Sequence, residues 1–277
     1  MYGKRTRRAT IGASIALLVA SFGWAQPMVA AGASDPVPLV APPVVVTIGF
    51  DDGTVDQFDA LEALNLHHMH ATFFINSGFI GDPDHLSVEQ LGALAAAGNE
   101  IGGHTVDHAN IQPLSTDEAT AEVCDDRAQL VGWGVTWGFT VTSFAYPFGS
   151  YDANSETIVQ SCGYDSARTV SGVSIHVGKD KLGETLPPVD AYATRTPPNP
   201  KKATKLSTMK QYVLNAEAAA ALGESLWIQF VFHRYCDAHC GAYTVQPAKF
   251  AALLDFLATE RAGGRVSVET TAEAMAG

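Results

Sequence analysis

Two aspartates stand side by side in TIGFDDGTVDQ, residues 47–57, at the end of an apolar run. Neighbouring side chains on a strand point to opposite faces. One of Asp51 and Asp52 then faces a hydrophobic layer, where an unpaired carboxylate is costly. Two histidines stand four apart in HTVDH, residues 104–108. On a helical turn that spacing puts both imidazoles on one face, as a divalent cation requires. The spacing alone is a weak signal, since two solvated histidines share it. A third ligand from the aspartate pair makes a two-histidine, one-aspartate site with positions left open for water. A cation there holds one carboxylate and leaves the other free to take a proton from water that the cation has acidified. Gly53 lets the chain turn directly after the pair, so both carboxylates reach one pocket.

These groups must be positioned by regular elements, and from residue 44 strand-like and helix-like segments alternate. VVVTIGF (44–50), ATFFIN (71–76), EIGGH (100–104), TSFAYPFG (142–149) and LWIQFVFH (226–233) read as strands, with weaker ones at YDSART (164–169) and AYATR (191–195), and VSVET (266–270) closing the chain. FDALEALNL (58–66), SETIVQSCG (155–163), TMKQYVLNAEAAAALG (208–223) and PAKFAALLDFLATERAGG (247–264) have helical spacing. Two further helices open with capping boxes, Ser87 with Gln90 and Ser115 with Glu118. Long alternation of this kind predicts a parallel sheet covered by helices, and the span from 44 to 277 suits one α/β barrel. Asp51 and Asp52 then follow the first strand and Asn76 ends the second. His104 follows the third strand, Tyr146 and Pro147 the fourth, Arg168 the fifth, Arg195 the sixth and His233 the seventh. Reactive side chains at the C-terminal ends of many strands are where barrel enzymes build their sites.

The N-terminus reads as an export signal. KRTRR (4–8) precedes the apolar IGASIALLVASFGWA (11–25), which is short for a bilayer span and diluted by glycine and serine. We expect a signal peptide over residues 1–25, a proline-rich leader over 26–43 and one catalytic domain over 44–277. Loss of residues 1–25 removes four cations and no acid, taking the net charge from −12 to −16. Such a chain is a poor partner for nucleic acid or an anionic membrane. A neutral polysaccharide is not excluded, and no later segment is apolar enough to span a membrane. The four cysteines at 124, 162, 236 and 240 suggest two disulfides, with three possible connectivities. A zinc site from Cys236, His239 and Cys240 is the rival reading, which an oxidising compartment disfavours.

FDDG (50–53), HTVDH (104–108), AYPFG (145–149) and VFH (231–233), in this order and on these strands, resemble the polysaccharide deacetylases. These are the NodB-homology domains of carbohydrate esterase family 4. The resemblance covers about residues 44 to 235. It implies a metal-dependent enzyme on a single-domain, distorted (β/α)7 barrel. It implies Asp51 as general base, and Asp52, His104 and His108 as ligands of zinc or a similar divalent ion. His233 would be the general acid. The Phe148 N–H would help to stabilise the tetrahedral oxyanion, and Tyr146, Pro147 and Phe148 would line the oxyanion and substrate region. Gly49 stands where many members have Thr. Ala145 stands where the family often has an Arg that orients the base, and the D-x-x-D-W pattern that holds the acid histidine is absent. In a sub-branch an Arg from a later strand takes over. Arg195, in AYATRTP, is the first candidate for that role and Arg168 the second.

The expected function is that of a secreted, metal-dependent deacetylase of an acetylated carbohydrate. The substrate would be an N-acetylglucosamine polymer such as chitin oligosaccharide or peptidoglycan, or acetylated xylan. The rivals are a hydrolase of non-peptide C–N bonds on the same fold and a non-catalytic carbohydrate-binding relative. The latter would be expected to lack a ligand or the acid. The expected disulfides are Cys124–Cys162, joining helices after neighbouring strands, and Cys236–Cys240, closing a loop after His233. His67, His68, His70, His85, His176 and His239 read as solvated or loop residues, and Trp133 and Trp137 as packing. Asp152 and Asp190 are weak candidates for orienting site residues.

Overall fold

The computed structural model describes residues 43–277 except 179–180 and 238–239. The expected signal (1–25) and residues 26–42 of the leader lie outside the described residues, as does His239.

β1 (Val44–Asp51) is buried along its whole length. A β-branched, apolar run suits a strand covered on both faces. A 3-10 turn (Val55–Asp59) leads into α1 (Ala60–Leu66), followed by β2 (Thr72–Ile75). α2 (Val88–Ala96) and α3 (Thr116–Trp137) flank β3 (Glu100–Gly103), and both helices open with the expected capping boxes. β4 (Ser143–Ala145) runs into a second turn at Pro147–Gly149, then α4 (Ala153–Ser161) and β5 (Ser166–Gly172). The short β6 (Glu184–Thr185) and β7 (Thr194–Thr196) precede α5 (Leu206–Ala220) and β8 (Leu226–Phe232). β9 (Arg234–Tyr235) pairs with β10 (Thr244–Val245) apart from the main sheet. α6 (Pro247–Ala262), β11 (Val266–Glu269) and α7 (Thr271–Ala276) complete the chain.

The main sheet runs β6-β8-β1-β2-β3-β4-β5-β7. Every ladder is parallel except β6 with β8. One edge of β1 is shared: β11 takes Val44–Thr47 and β2 takes Gly49–Asp51. At the seam β7 and β8 meet through a side chain, as the Gln229 amide donates to Thr194 Oγ1 (3.1 Å) and to the Arg195 carbonyl (3.0 Å). The result is the expected distorted barrel, nearly closed, with helices outside.

Phe50 packs against Phe250 of α6 and stacks on Phe73. It therefore points outward to the helices. By alternation its neighbour Asp51 points into the barrel, where it is only 2% exposed. Both expected disulfides are present: Cys124–Cys162 joins α3 to α4, and Cys236–Cys240 closes the loop after β9. With those thiols bonded to each other, the zinc alternative at Cys236 and Cys240 is not what the structure shows.

Candidate active site

Asp52, His104 and His108 converge at the C-terminal mouth of the barrel. Asp52 Oδ1 lies 3.6 Å from His104 Nε2 and 3.4 Å from His108 Nε2. These separations are too long for good hydrogen bonds. They match the edge of a tetrahedral site, where bonds of ~2.1 Å put ligand atoms about 3.4 Å apart. Asp52 Oδ1 is buried with no hydrogen-bond partner among the described residues. A buried, acceptor-only atom aimed at two ring nitrogens is what a divalent cation satisfies, so the donor set fits zinc. Burial opposes ionisation of Asp52, but His104, His233 and His108 hold its carboxyl well below the usual range. Burial also opposes the charged form of His104, yet Asp52 and Asp51 raise its pKa; burial and the adjacent His104 lower that of His108.

The two histidines do not share a helical turn, contrary to the expectation from their spacing. β3 ends at Gly103 and α3 begins at Thr116. His104–His108 is a loop in which Thr105 and His108 take φ of 67° and 58°. Asp52, at φ 77°, and Gly53, at φ 64°, are also left-handed. Non-glycine residues in that region carry strain that surrounding contacts must hold. Those contacts are visible around His104. Its N–H donates to Asp126 Oδ2 (3.1 Å). The Asn76 amide donates to its carbonyl and to that of Thr105. Its ring Nδ1 pairs with the Ala145 carbonyl at 2.6 Å. That last contact makes Nδ1 the donor and leaves the Nε2 lone pair free for a cation. Gly103 is required here, because a Cβ would sit 1.9 Å from the Tyr164 hydroxyl. Asp126, on α3, also accepts the Ser77 N–H (3.0 Å), and burial pushes its pKa up to about 7 despite these donors.

Arg168, not Arg195, is the partner of Asp51. Its guanidinium Nη2 donates to Asp51 Oδ1, and both residues are 2% exposed. The guanidinium also lies 4.6 Å from the centroid of the Phe74 ring. Arg195 instead grips Glu184 through its Nε (2.7 Å) and Nη2. Strand parity explains the correction. Arg168 is the register partner of Thr194, so Arg195, one residue on, faces the other side of the sheet. Arg168 is also the register partner of Ala145.

His233 follows β8 and puts Nε2 3.9 Å from Asp51 Oδ2. It lines a cavity of about 320 Å³ together with Asp51, Asp52, His104, His108, Tyr146, Phe148, Val170, Asn199 and Tyr243. Phe148 takes φ 59°, is 67% exposed and sets its ring edge-on to His108 at 4.6 Å. The Tyr146 hydroxyl is buried with no partner among the described residues, and its ring stacks on Tyr151. Pro147 is buried and does not line the cavity; it starts the turn that presents Phe148. Asp152 caps α4 and Asp190 closes a local turn onto the Tyr192 N–H, so neither reaches the site. His67 pairs with Asp255 on the surface. Asn199 and Tyr243 lack any motif in the sequence. Gln57 and Asp126 act on backbone, and nothing in their local sequence marks that.

Residues 40–167 match the family model described as Polysaccharide deacetylase. Over that stretch the chain is similar to the polysaccharide deacetylases. A Bacillus subtilis (strain 168) protein, YxkH, bears a polysaccharide deacetylase name and is 30% identical over 125 residues. That stretch is 45% of this chain, and the chain spans only 44% of that relative's length. Among solved structures, a family 4 carbohydrate esterase from Streptomyces lividans, in complex with acetate, shares 18% identity with a TM-score of 0.53. The match covers 82% of this chain and 93% of that one. The Xyl-CE4 domain of a multidomain xylanase from the hindgut metagenome of Trinervitermes trinervoides gives 15% identity and a TM-score of 0.52, over 84% and 90% of the two chains. A CE4 family pseudoenzyme from Bacillus anthracis gives 14% and 0.54, over 85% and 66%. At these identities the likeness is one of fold. The family match ends at residue 167. It therefore takes in Asp51, Asp52, His104, His108 and the 146–148 turn, whereas Arg168 and His233 stand on geometry.

Proposed function

We propose that the chain is an exported, zinc-dependent deacetylase that hydrolyses acetyl groups on a carbohydrate. The observation that carries this reading is one cavity in which Asp52, His104 and His108 converge, with Asp51 and His233 beside them. A bound zinc ion would supply Lewis acidity toward the acetyl carbonyl and would lower the pKa of the attacking water. Asp52, His104 and His108 would hold it. Asp51 accepts the proton of that water, with Arg168 keeping its carboxylate in place. His233 donates a proton to the leaving nitrogen or oxygen. The Phe148 N–H assists at the developing oxyanion. The exposed Phe148 ring and the Tyr243 ring beside His233 suit the apolar faces of a sugar. The two disulfides and the N-terminal signal pattern support export.

N-acetylglucosamine polymers and acetylated xylan both meet this description, and the presence of all five polar residues that the chemistry needs counts against a non-catalytic binding role. The test is acetate release from acetylated chitooligosaccharide, peptidoglycan fragments and acetylated xylan, with and without a chelator. Release from at least one glycan, lost on chelation and restored by zinc, is expected. Chelator-insensitive release, or hydrolysis confined to non-carbohydrate amides, would overturn the reading.

A further inference from the structure

The ring of His233, the acid in the proposed reaction, makes no hydrogen bond to a side chain among the described residues, and Asp51 Oδ2 lies 3.9 Å from its Nε2. His233 Nδ1 is buried without a hydrogen bond among the described residues, and the ring meets Tyr243 at 5.3 Å, tilted. The hydrogen bonds that hold His233 are on its main chain. β8 ends one residue before it and β9 begins one residue after, so His233 sits at a break between two strands.

The chain that follows the aspartate pair takes hold of that break. The Gln57 side-chain amide donates both to the Asp51 carbonyl and to the His233 carbonyl. A primary amide has two donor hydrogens, and both are used here. Gln57 is 0% exposed. Thr54 Oγ1 lies 3.4 Å from the same His233 carbonyl. Asp56 accepts the Tyr235 N–H (2.9 Å) and pairs with Arg234 Nε (3.0 Å). Residues 54, 56 and 57 thus hold residues 233, 234 and 235. The β1–β8 ladder stops at Phe50 with Phe232, directly below the two catalytic positions. Beyond it, the Gln57 amide replaces the ladder as the tie between the strand ends.

We propose that Gln57 is a positioning residue that sets the distance and orientation between the base Asp51 and the acid His233. Asp56 and Thr54 complete the same clasp. The inference rests on the deacetylase reading for the roles of Asp51 and His233. In that reaction the base and the acid act on different atoms of one tetrahedral centre, so their spacing limits proton transfer to the leaving group. A loosened clasp affects the acid step most, because Asp51 keeps its bond to Arg168 while the His233 Nδ1 has no hydrogen bond among the described residues.

The test compares Gln57→Met, which keeps volume and loses both donors, with Gln57→Glu and the wild type. Three measurements are made on zinc-loaded protein: thermal midpoint, bound zinc, and the ring chemical shifts of His233 at one pH. Kinetics then follow on an acetamido sugar and on p-nitrophenyl acetate. Gln57→Met should fold and keep its zinc. It should shift the His233 ring resonances and lose about 10- to 100-fold in kcat on the acetamide with little change in KM. The loss on the activated ester should be several-fold smaller, since that leaving group needs little protonation. Asp56→Asn should show the same split to a smaller degree. Unmoved His233 resonances in a folded Gln57→Met protein would overturn the proposal, as would equal losses on the two substrates. If Gln57→Met does not fold, Gln57→Glu and Asp56→Asn decide by the same readings. A wild type that releases no acetate refutes the deacetylase reading, and the His233 resonances still decide whether the clasp exists.

Discussion

Replacing Arg168 and replacing Arg195 should have separable consequences. The Asp51–Arg168 pair is almost wholly out of water, each partner 2% exposed. Removing one member of such a pair leaves a buried charge and costs about 3–5 kcal/mol of stability. For a domain of this size each kcal/mol lowers Tm by roughly 2–4 °C, so Arg168→Met should melt roughly 6–20 °C lower. A hydrogen bond to a charged group contributes about 1.5–3 kcal/mol. Loss of that hold on the base at the upper end corresponds to about 100-fold in kcat/KM. Arg168→Lys should recover part of the stability and little of the rate, because an ammonium cannot reproduce the planar fork. Arg195→Met breaks the pair with Glu184 on the opposite face of the sheet. It should lower Tm by a few degrees and leave kcat/KM within about threefold. The assay is acetate release at saturating zinc, below each variant's melting temperature, beside calorimetry. Near-wild-type turnover in Arg168→Met with a collapse in Arg195→Met would refute the assignment and the parity argument with it.

Asp52→Ala, His104→Ala and His108→Ala should each lose bound zinc and activity while folding, and full zinc occupancy in any of them would remove that residue from the ligand set. Asp51→Asn should retain zinc and lose most turnover, as measured by metal analysis beside acetate release. His233→Ala should hurt acetamides more than p-nitrophenyl acetate, and equal losses would count against it as the acid. Asp126 has a folded-state pKa of about 7 against an ordinary 3.8, so folding takes up a proton between those values. Its contribution is greatest below pH about 4 and is lost as pH rises toward 7, by up to about 4 kcal/mol. Denaturant unfolding across that range should show the slope, and Asp126→Asn should flatten it; an identical slope in the variant would refute the assignment.

Much of the site was legible because its residues end strands whose composition is unmistakable. β1 and β8 are continuous apolar runs, so the residues that follow them had to lie on the rim. Both capping boxes announced helices that then begin at the next residue. α7 carries a third box, Thr270 with Glu273, which the same rule would have found. The two-residue strands β6, β9 and β10 carry too few residues to show a period. The spacing of His104 and His108 singled out two rings that the structure does bring together, but through a different geometry: a loop with left-handed residues stands where a helical turn was expected.

The misassigned arginine shows where sequence patterning stops. AYATR and SARTV each offer an Arg near the end of a strand, and nothing local separates them. What separates them is register. Phe144 pairs with Ala167 and Ala145 with Arg168, so the side chain at 168 stands at the height and on the face that the 145 side chain would occupy. The guanidinium beside Asp51 thus comes from the strand next to the one that carries Ala145, across one ladder step. Thr194 takes the corresponding place on β7 and turns Arg195 away to Glu184. Since side chains alternate with a period of two, a slip of one residue decides between a bond to Asp51 and a largely buried pair with Glu184. The substitution Ala145→Arg combined with Arg168→Ala would move the guanidinium across that step. It should restore part of the turnover lost in Arg168→Ala alone, whereas Ala145→Arg with Arg168 intact should crowd two cations around Asp51 and lower activity.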